Sequence, residues 1–246
     1  DVFKPDIQVL AERYKCSYNE MVDKLKAKYD GYNFSMDSPD VFNPFSLTMA
    51  LKNKMVDSYW FGSGTPTYLF EQMKRFKTDI LSLEKNSASA SDFDAPTENM
   101  KTALPLLYQS GYLTIKDYKS FITDSDIMET YTLGYPNGEV RTALADSLFR
   151  NYYKVNDSIA LRTAYMDFMQ NDDIDVFIEH LKIFFDGFPF SINNEKENEL
   201  HYHSILYTVL TSFGADISAN QETALGKADL VLKMPKTIYV IEIKYN

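Results

Sequence analysis

Short apolar runs separated by turn-rich breaks recur along the chain, and the C-terminal stretch GKADLVLKMPKTIYVIEIKYN shows the pattern most plainly. ADLVL is short and apolar, KMPKT carries a proline breaker, and TIYVIEIK is rich in β-branched and aromatic residues, which predicts two strands joined by a tight loop. Upstream, Leu206, Leu210 and Phe213 form the buried stripe of a helix, and Gly214 is placed to stop it. ADISANQET then reads as a strand ahead of the hairpin. The order is helix, strand, strand, strand.

Elsewhere the pattern is mostly helical. SIALRTAYMDFMQNDDIDVFIEHLKIFFDGF gives amphipathic helices with Phe177, Leu181 and Phe184 at helical spacing. MKTALPLLYQSGYLTIKDY predicts a helix running into a strand. METYTLGYPNGEVRTALADSLFRNYY predicts a strand and a capped helix, with Pro136, Asn137 and Gly138 at the corner. Helix, strand, strand, helix at this size resembles a winged-helix-type module. The first stretch predicts helices around an irregular middle, with Asn43-Pro44 as one helix start and Thr65-Pro66 as a second. SLEKNSASASDFDAPTEN is small, polar and turn-rich, as a connector would be. The predicted class is α/β in the α+β sense. Its segments are a helical part over 1–75, a winged-helix-like module over 76–156, a helical connector over 157–190 and an α-β-β-β core over 191–246.

Charges interrupt the C-terminal hairpin at Asp229, Glu242 and Lys244. If its loop is centred between Pro235 and Lys236, Asp229 lies opposite Glu242, and the period of two puts Lys244 on the same face. Opposed carboxylates repel unless something positive lies between them, and a cation is the simplest candidate. Counting back along the upstream helical stripe reaches His203 and then Glu199, four residues apart.

Composition narrows the function. With 246 residues, 45% hydrophobic and 15% aromatic, the chain can bury a sizeable core. A formal charge of -10 argues against a broad basic surface, although a nucleic-acid groove needs only a few lysines and arginines. The single cysteine, Cys16, forms no internal disulfide and fits a reducing, cytoplasmic compartment. No apolar run approaches the roughly 18 residues of a membrane span, so no membrane partner is expected. The start at Asp1 without a signal-peptide pattern predicts a piece of a longer cytoplasmic chain. The only Gly-Lys pair, Gly226 and Lys227, is followed by Ala228, so no phosphate-cradling loop is read here.

Glu199 on a helix, Asp229 on a strand and Glu242-Ile243-Lys244 on the next strand resemble the PD-(D/E)XK nuclease superfamily, with its E…D…(D/E)-x-K pattern. YDGYNFS, FNPFSL, YWFGSGTPTYL and GYPNGEVR are similar to segments of bacterial AAA-ATPase-like proteins with a nuclease-like C-terminal domain. That resemblance covers nearly the whole chain. It implies metal-dependent hydrolysis of nucleic acid, DNA or RNA. Asp229, Glu242, the backbone carbonyl of Ile243 and Glu199 would hold Mg or Mn, and Lys244 would act as base or charge stabiliser. His203 would be a phosphate contact. The ATPase module of a parent chain would be a partner, with no ATP site in this chain. Because the superfamily core continues past the third strand, the nuclease domain is expected to be truncated at Asn246 and weakly active.

Blander readings stand beside these. A lone E-x-K strand is usually an edge or a solvated face. Packing or surface roles outweigh metal binding for His201 and His203, whose rings would point about 200° apart on a helix. Glu222 reads as a solvated strand residue, Lys28 and Asp30 as surface charges, and YWFGSGTPTYL as core. The rival function is a non-catalytic binding or regulatory module.

Overall fold

The computed structural model describes residues 2–35, 38–60, 67–93, 100–153, 159–187, 199–223 and 226–244. The chain divides into two compact units, Asp1–Leu144 and Ala145–Asn246.

The first unit opens with three helices, α1 (Lys4–Arg13), α2 (Tyr18–Tyr29) and α3 (Pro44–Asn53). Ser17 and Glu20 form a reciprocal capping box at the start of α2, and the Asn43 side chain accepts from the Phe45 and Ser46 amides ahead of α3. The predicted Asn43-Pro44 start is therefore met, whereas Thr65-Pro66 lies outside the described residues. Leu10, Met21, Leu25, Tyr29 and Ala50 bury against one another as the core of these helices.

After α4 (Thr67–Arg75) and a 3-10 turn at Ile80–Lys85 come β1 (Asn86–Ala88), α5 (Ala90–Phe93), α6 (Leu104–Gln109), β2 (Thr114–Ile122), β3 (Ile127–Gly134) and α7 (Gly138–Ser147). The sheet is antiparallel in the order β1-β3-β2, with a bulge in β2 between Ile115 and Asp117. At the corner before α7 the Asn137 side chain accepts the Val140 amide.

Three distant stretches meet in this unit. Gly31 sits at φ +106, and a Cβ there would collide with the Pro136 carbonyl. Lys116 Nζ donates to the carbonyls of Gly31 at 3.1 Å and Pro136 at 2.9 Å. Thr114 Oγ1 both accepts from the Asn33 amide and donates to the Asn33 carbonyl. Glu139 is wholly buried, and its Oε1 takes the amides of Tyr59 and Trp60. Lys28 and Asp30 are half-buried here, against the expectation of surface charges. Burial pulls the Lys28 ammonium below its usual pKa while Glu139 and Asp57 pull it back up. Trp60 packs 5.8 Å from Tyr32 and edge-on to Tyr112. That agrees with the core reading of its segment, of which residues 61–66 lie outside the description.

The second unit holds a π-type turn at Leu148–Tyr152, α8 (Ile159–Asn171), α9 (Ile174–Asp186), α10 (Glu199–Ser212), and strands β4 (Asp216–Thr223), β5 (Gly226–Lys233) and β6 (Ile238–Ile241). α8 and α9 pack through Phe168 and Phe177, whose rings stack at 5.4 Å. From Ile205 to Ser212 every residue of α10 is buried, more than the expected single stripe, and Gly214 at φ +84 ends the helix. The sheet is antiparallel in the order β4-β5-β6 and shares no strand with the first sheet among the described residues.

Candidate functional site

The β5-β6 ladder pairs Leu230 with Ile241, Val231 with Val240, Leu232 with Tyr239 and Lys233 with Ile238. This is the register expected from a loop between Pro235 and Lys236, and Met234 closes that loop by donating to the Thr237 carbonyl. The ladder ends at Leu230 and Ile241, one step short of the expected pairing of Asp229 with Glu242.

Two faces follow from the alternation. Leu230, Leu232 and Tyr239 share one, and Tyr239 turns it to the core by meeting Phe168 edge-on at 5.2 Å. The Tyr239 hydroxyl also donates to Asp172 at 2.9 Å, which ties the hairpin to the corner between α8 and α9. The other carries Asp229, Val231 and Val240, while Glu242 and Lys244 follow just past the end of β6. Val240 is 61% exposed, and Glu242 and Lys244 are exposed as well. Asp229 is half-buried on the face opposite Leu230 and Leu232, beside the buried Val231, and Glu242 and Lys244 are exposed beyond the strand end.

Asp229 is the best-anchored of them. Regular pairing of β6 ends at Ile241, and beyond it the Asp229 carboxylate replaces a strand partner: Ile243 N–H donates to Oδ2 at 3.0 Å. From the helix side, His203 Nε2–H donates to the Asp229 carbonyl at 2.8 Å. A carbonyl only accepts, so this bond fixes the proton on Nε2. Asp229 is thus held by its backbone from α10 and by its side chain from the segment of Glu242 and Lys244.

His203 is 5% exposed, and the packing role weighed for it is the one found. The sequence signal was its place on the buried stripe of α10. His201 lies half-buried on the same helix, with its ring edge-on to Tyr153 and Tyr202 and its pKa lowered by burial. Glu199 opens α10 and is exposed. Among the described residues no hydrogen bond or ion pair joins Glu199, Glu242 or Lys244 to the group, and no three His, Cys, Asp or Glu side chains form a metal-binding cluster. Glu222 pairs with Lys227 across β4 and β5 and is exposed, as a solvated strand residue would be. No helix among the described residues is long and apolar enough to cross a membrane.

Comparison with known proteins bears on the same segment. The chain is similar to an uncharacterized protein in the vnfD 5' region of Azotobacter chroococcum mcd 1, with 26% identity over 226 residues. That match covers 90% of this chain but 43% of the relative, so the chain spans less than half the length of the protein it matches. No solved structure gives a significant match. Residues 197–246, which hold Glu199, His203, Asp229, Glu242 and Lys244, match the family model of the PD-(D/E)XK nuclease superfamily.

Proposed function

We propose that the C-terminal segment is a nuclease-type domain that hydrolyses phosphodiester bonds of nucleic acid, DNA or RNA, with a divalent metal. One observation carries the reading. In the segment that matches the superfamily, the Asp229 carboxylate is anchored on the Ile243 backbone between Glu242 and Lys244.

The residues present fit magnesium or manganese. Magnesium is usually held by one or two carboxylates and keeps several waters. Asp229 commits only Oδ2 among the described residues, which leaves Oδ1 available, and Glu242 is exposed next to the Ile243 amide that Asp229 accepts. The Ile243 carbonyl offers a further oxygen, and Glu199 would hold a second ion or orient a water. When bound, the ion neutralises phosphate charge and acidifies a water. Lys244 brings an exposed ammonium to the same end of the hairpin, suited to holding the attacking water and countering the negative charge that develops on the phosphate.

For the rest of the chain we propose descent from an AAA-ATPase-like parent, with the ATPase module as partner and no ATP site in this chain. In that reading 1–75 is the helical end of the ATPase-like module and 76–156 a winged-helix-like module. Residues 157–190 are a connector and 191–246 the nuclease-like domain. The order α6, β2, β3, α7 supports the second assignment.

The test uses the full-length protein. Mg²⁺ and Mn²⁺ are titrated by calorimetry, and plasmid, single-stranded DNA and RNA are offered as substrates with and without chelator. Saturable metal binding with chelator-sensitive cleavage is expected. Metal-independent nucleic-acid binding without cleavage would transfer the assignment to a binding module.

A further inference from the structure

The first unit contains an open surface cavity of about 330 Å³, five of whose eight lining residues are aromatic. Phe34, Phe93, Tyr108, Tyr118 and Tyr131 line it, and Glu129 stands among them as its one charged side chain. The strand register explains the grouping: Tyr118 pairs with Tyr131, and Ser120 with Glu129, so both tyrosines and the glutamate share one face of the β2-β3 hairpin. α5 and α6 supply Phe93 and Tyr108.

The rings do not stack flat on one another. Phe93 lies 4.5 Å from Tyr108 at 44° and 5.0 Å from Tyr131 at 79°, while Tyr118 and Tyr131 are 5.1 Å apart at 56°. Inclined rings turn different faces toward a common space, and an aromatic face attracts a cation through its quadrupole. Glu129 adds a full negative charge. No Lys, Arg or His lines the cavity, and among the described residues no ion pair reaches Glu129.

Two wall hydroxyls hold the glutamate in place. Its Oε1 accepts from the Tyr118 hydroxyl at 2.6 Å and its Oε2 from the Tyr131 hydroxyl at 3.2 Å. Each oxygen takes one hydroxyl and keeps a lone pair, so the carboxylate supplies charge beside walls that are mainly rings. A guanidinium or primary ammonium arrives with N–H groups that need acceptors. An alkylated ammonium has none to satisfy and asks only for negative potential and ring faces. Hydrogen bonding to a carboxylate also pushes electron density into each phenol ring, which strengthens its negative face. A phosphate-bearing ligand is disfavoured by the same charge.

We infer that this cage binds an alkylated ammonium group, carried by a small molecule or by a methylated lysine side chain. The inference is independent of the nuclease reading, since it concerns residues of the first unit alone.

Calorimetry on the full chain with choline, its neutral isostere 3,3-dimethyl-1-butanol, a trimethyllysine peptide and adenosine tests it. Saturable binding of choline or the peptide is expected, about tenfold tighter than the neutral isostere. The tighter of the two cations identifies the source. Glu129→Gln, at an exposed position, should leave the fold intact by circular dichroism and weaken cation binding about tenfold. Tyr118→Leu should weaken it similarly by removing one wall. The inference is overturned if neither cation gives a saturable heat, or if the isostere binds equally well. It also falls if Glu129→Gln leaves affinity unchanged or adenosine outcompetes both cations.

Discussion

His203 and Asp229 are joined by a bond that spares both carboxylate oxygens of the aspartate: the imidazole donates to its backbone carbonyl at 2.8 Å and leaves the carboxylate for Ile243. The helix that begins with Glu199 therefore sets the position of the strand that carries Asp229. His203→Ala would strip a half-buried carbonyl of its donor and open space beside α10. An unfolding loss of roughly 1–3 kcal/mol is expected, read as a lower denaturant midpoint. His203→Gln, which keeps a donor, should recover part of it. Equal losses for the two variants would show that ring packing alone matters.

The Asp229 carboxylate separates structural from chemical roles. Asp229→Asn retains an oxygen for the Ile243 amide and should change stability by less than about 0.5 kcal/mol, whereas Asp229→Ala should cost roughly 0.5–1.5 kcal/mol. If the proposed chemistry holds, both variants lose divalent-metal affinity in calorimetry. Lys244→Ala, at an exposed position, should keep metal affinity and lose cleavage. A Lys244→Ala protein that cleaves at the wild-type rate would remove the lysine from the mechanism.

The hairpin register was legible because a proline loop flanked by β-branched runs permits few alignments, and the one it indicated pairs Leu230 with Ile241. Asn43 and Gly214 were legible for a similar reason, since caps are local chemistry. Interactions that run from a side chain to distant backbone were not. Lys116 reaches the Gly31 carbonyl across 85 positions, and nothing in either neighbourhood announces it. Lys28 read as a surface charge because its helix is amphipathic, yet Glu139 and Asp57 come to it from elsewhere in the chain. The carboxylates of the candidate site fall between these cases. A shared face was expected from periodicity, whereas β6 stops pairing at Ile241 and the bond from Ile243 to Asp229 depends on that stop.

Gly31 provides a stringent test of the first unit. Its φ of +106 is outside the usual range of side-chain-bearing residues, and a Cβ would meet the Pro136 carbonyl, which is backbone and cannot swing aside. Gly31→Ala should cost roughly 1–3 kcal/mol, with the thermal midpoint as readout. Lys116→Met, which removes the donor to both carbonyls, should also lower that midpoint, because burial that pulls the Lys116 pKa down keeps water from fully replacing its ammonium.

His201 makes a pH-dependent contribution whose sign follows from its surroundings. Burial holds its pKa below the ordinary 6.5, so the folded chain resists protonation there and the unfolded chain does not. Above about pH 6.5 both states carry a neutral ring and the residue adds no pH dependence. As pH falls below that value the unfolded state takes up the proton first, and stability declines until the folded-state pKa is passed. His201→Phe keeps an aromatic ring beside Tyr153 and Tyr202 and removes the titration. Denaturation midpoints measured from pH 7.5 downward should fall more steeply for the wild type than for His201→Phe. Parallel curves would show that the ring is protonated as readily in the fold as outside it.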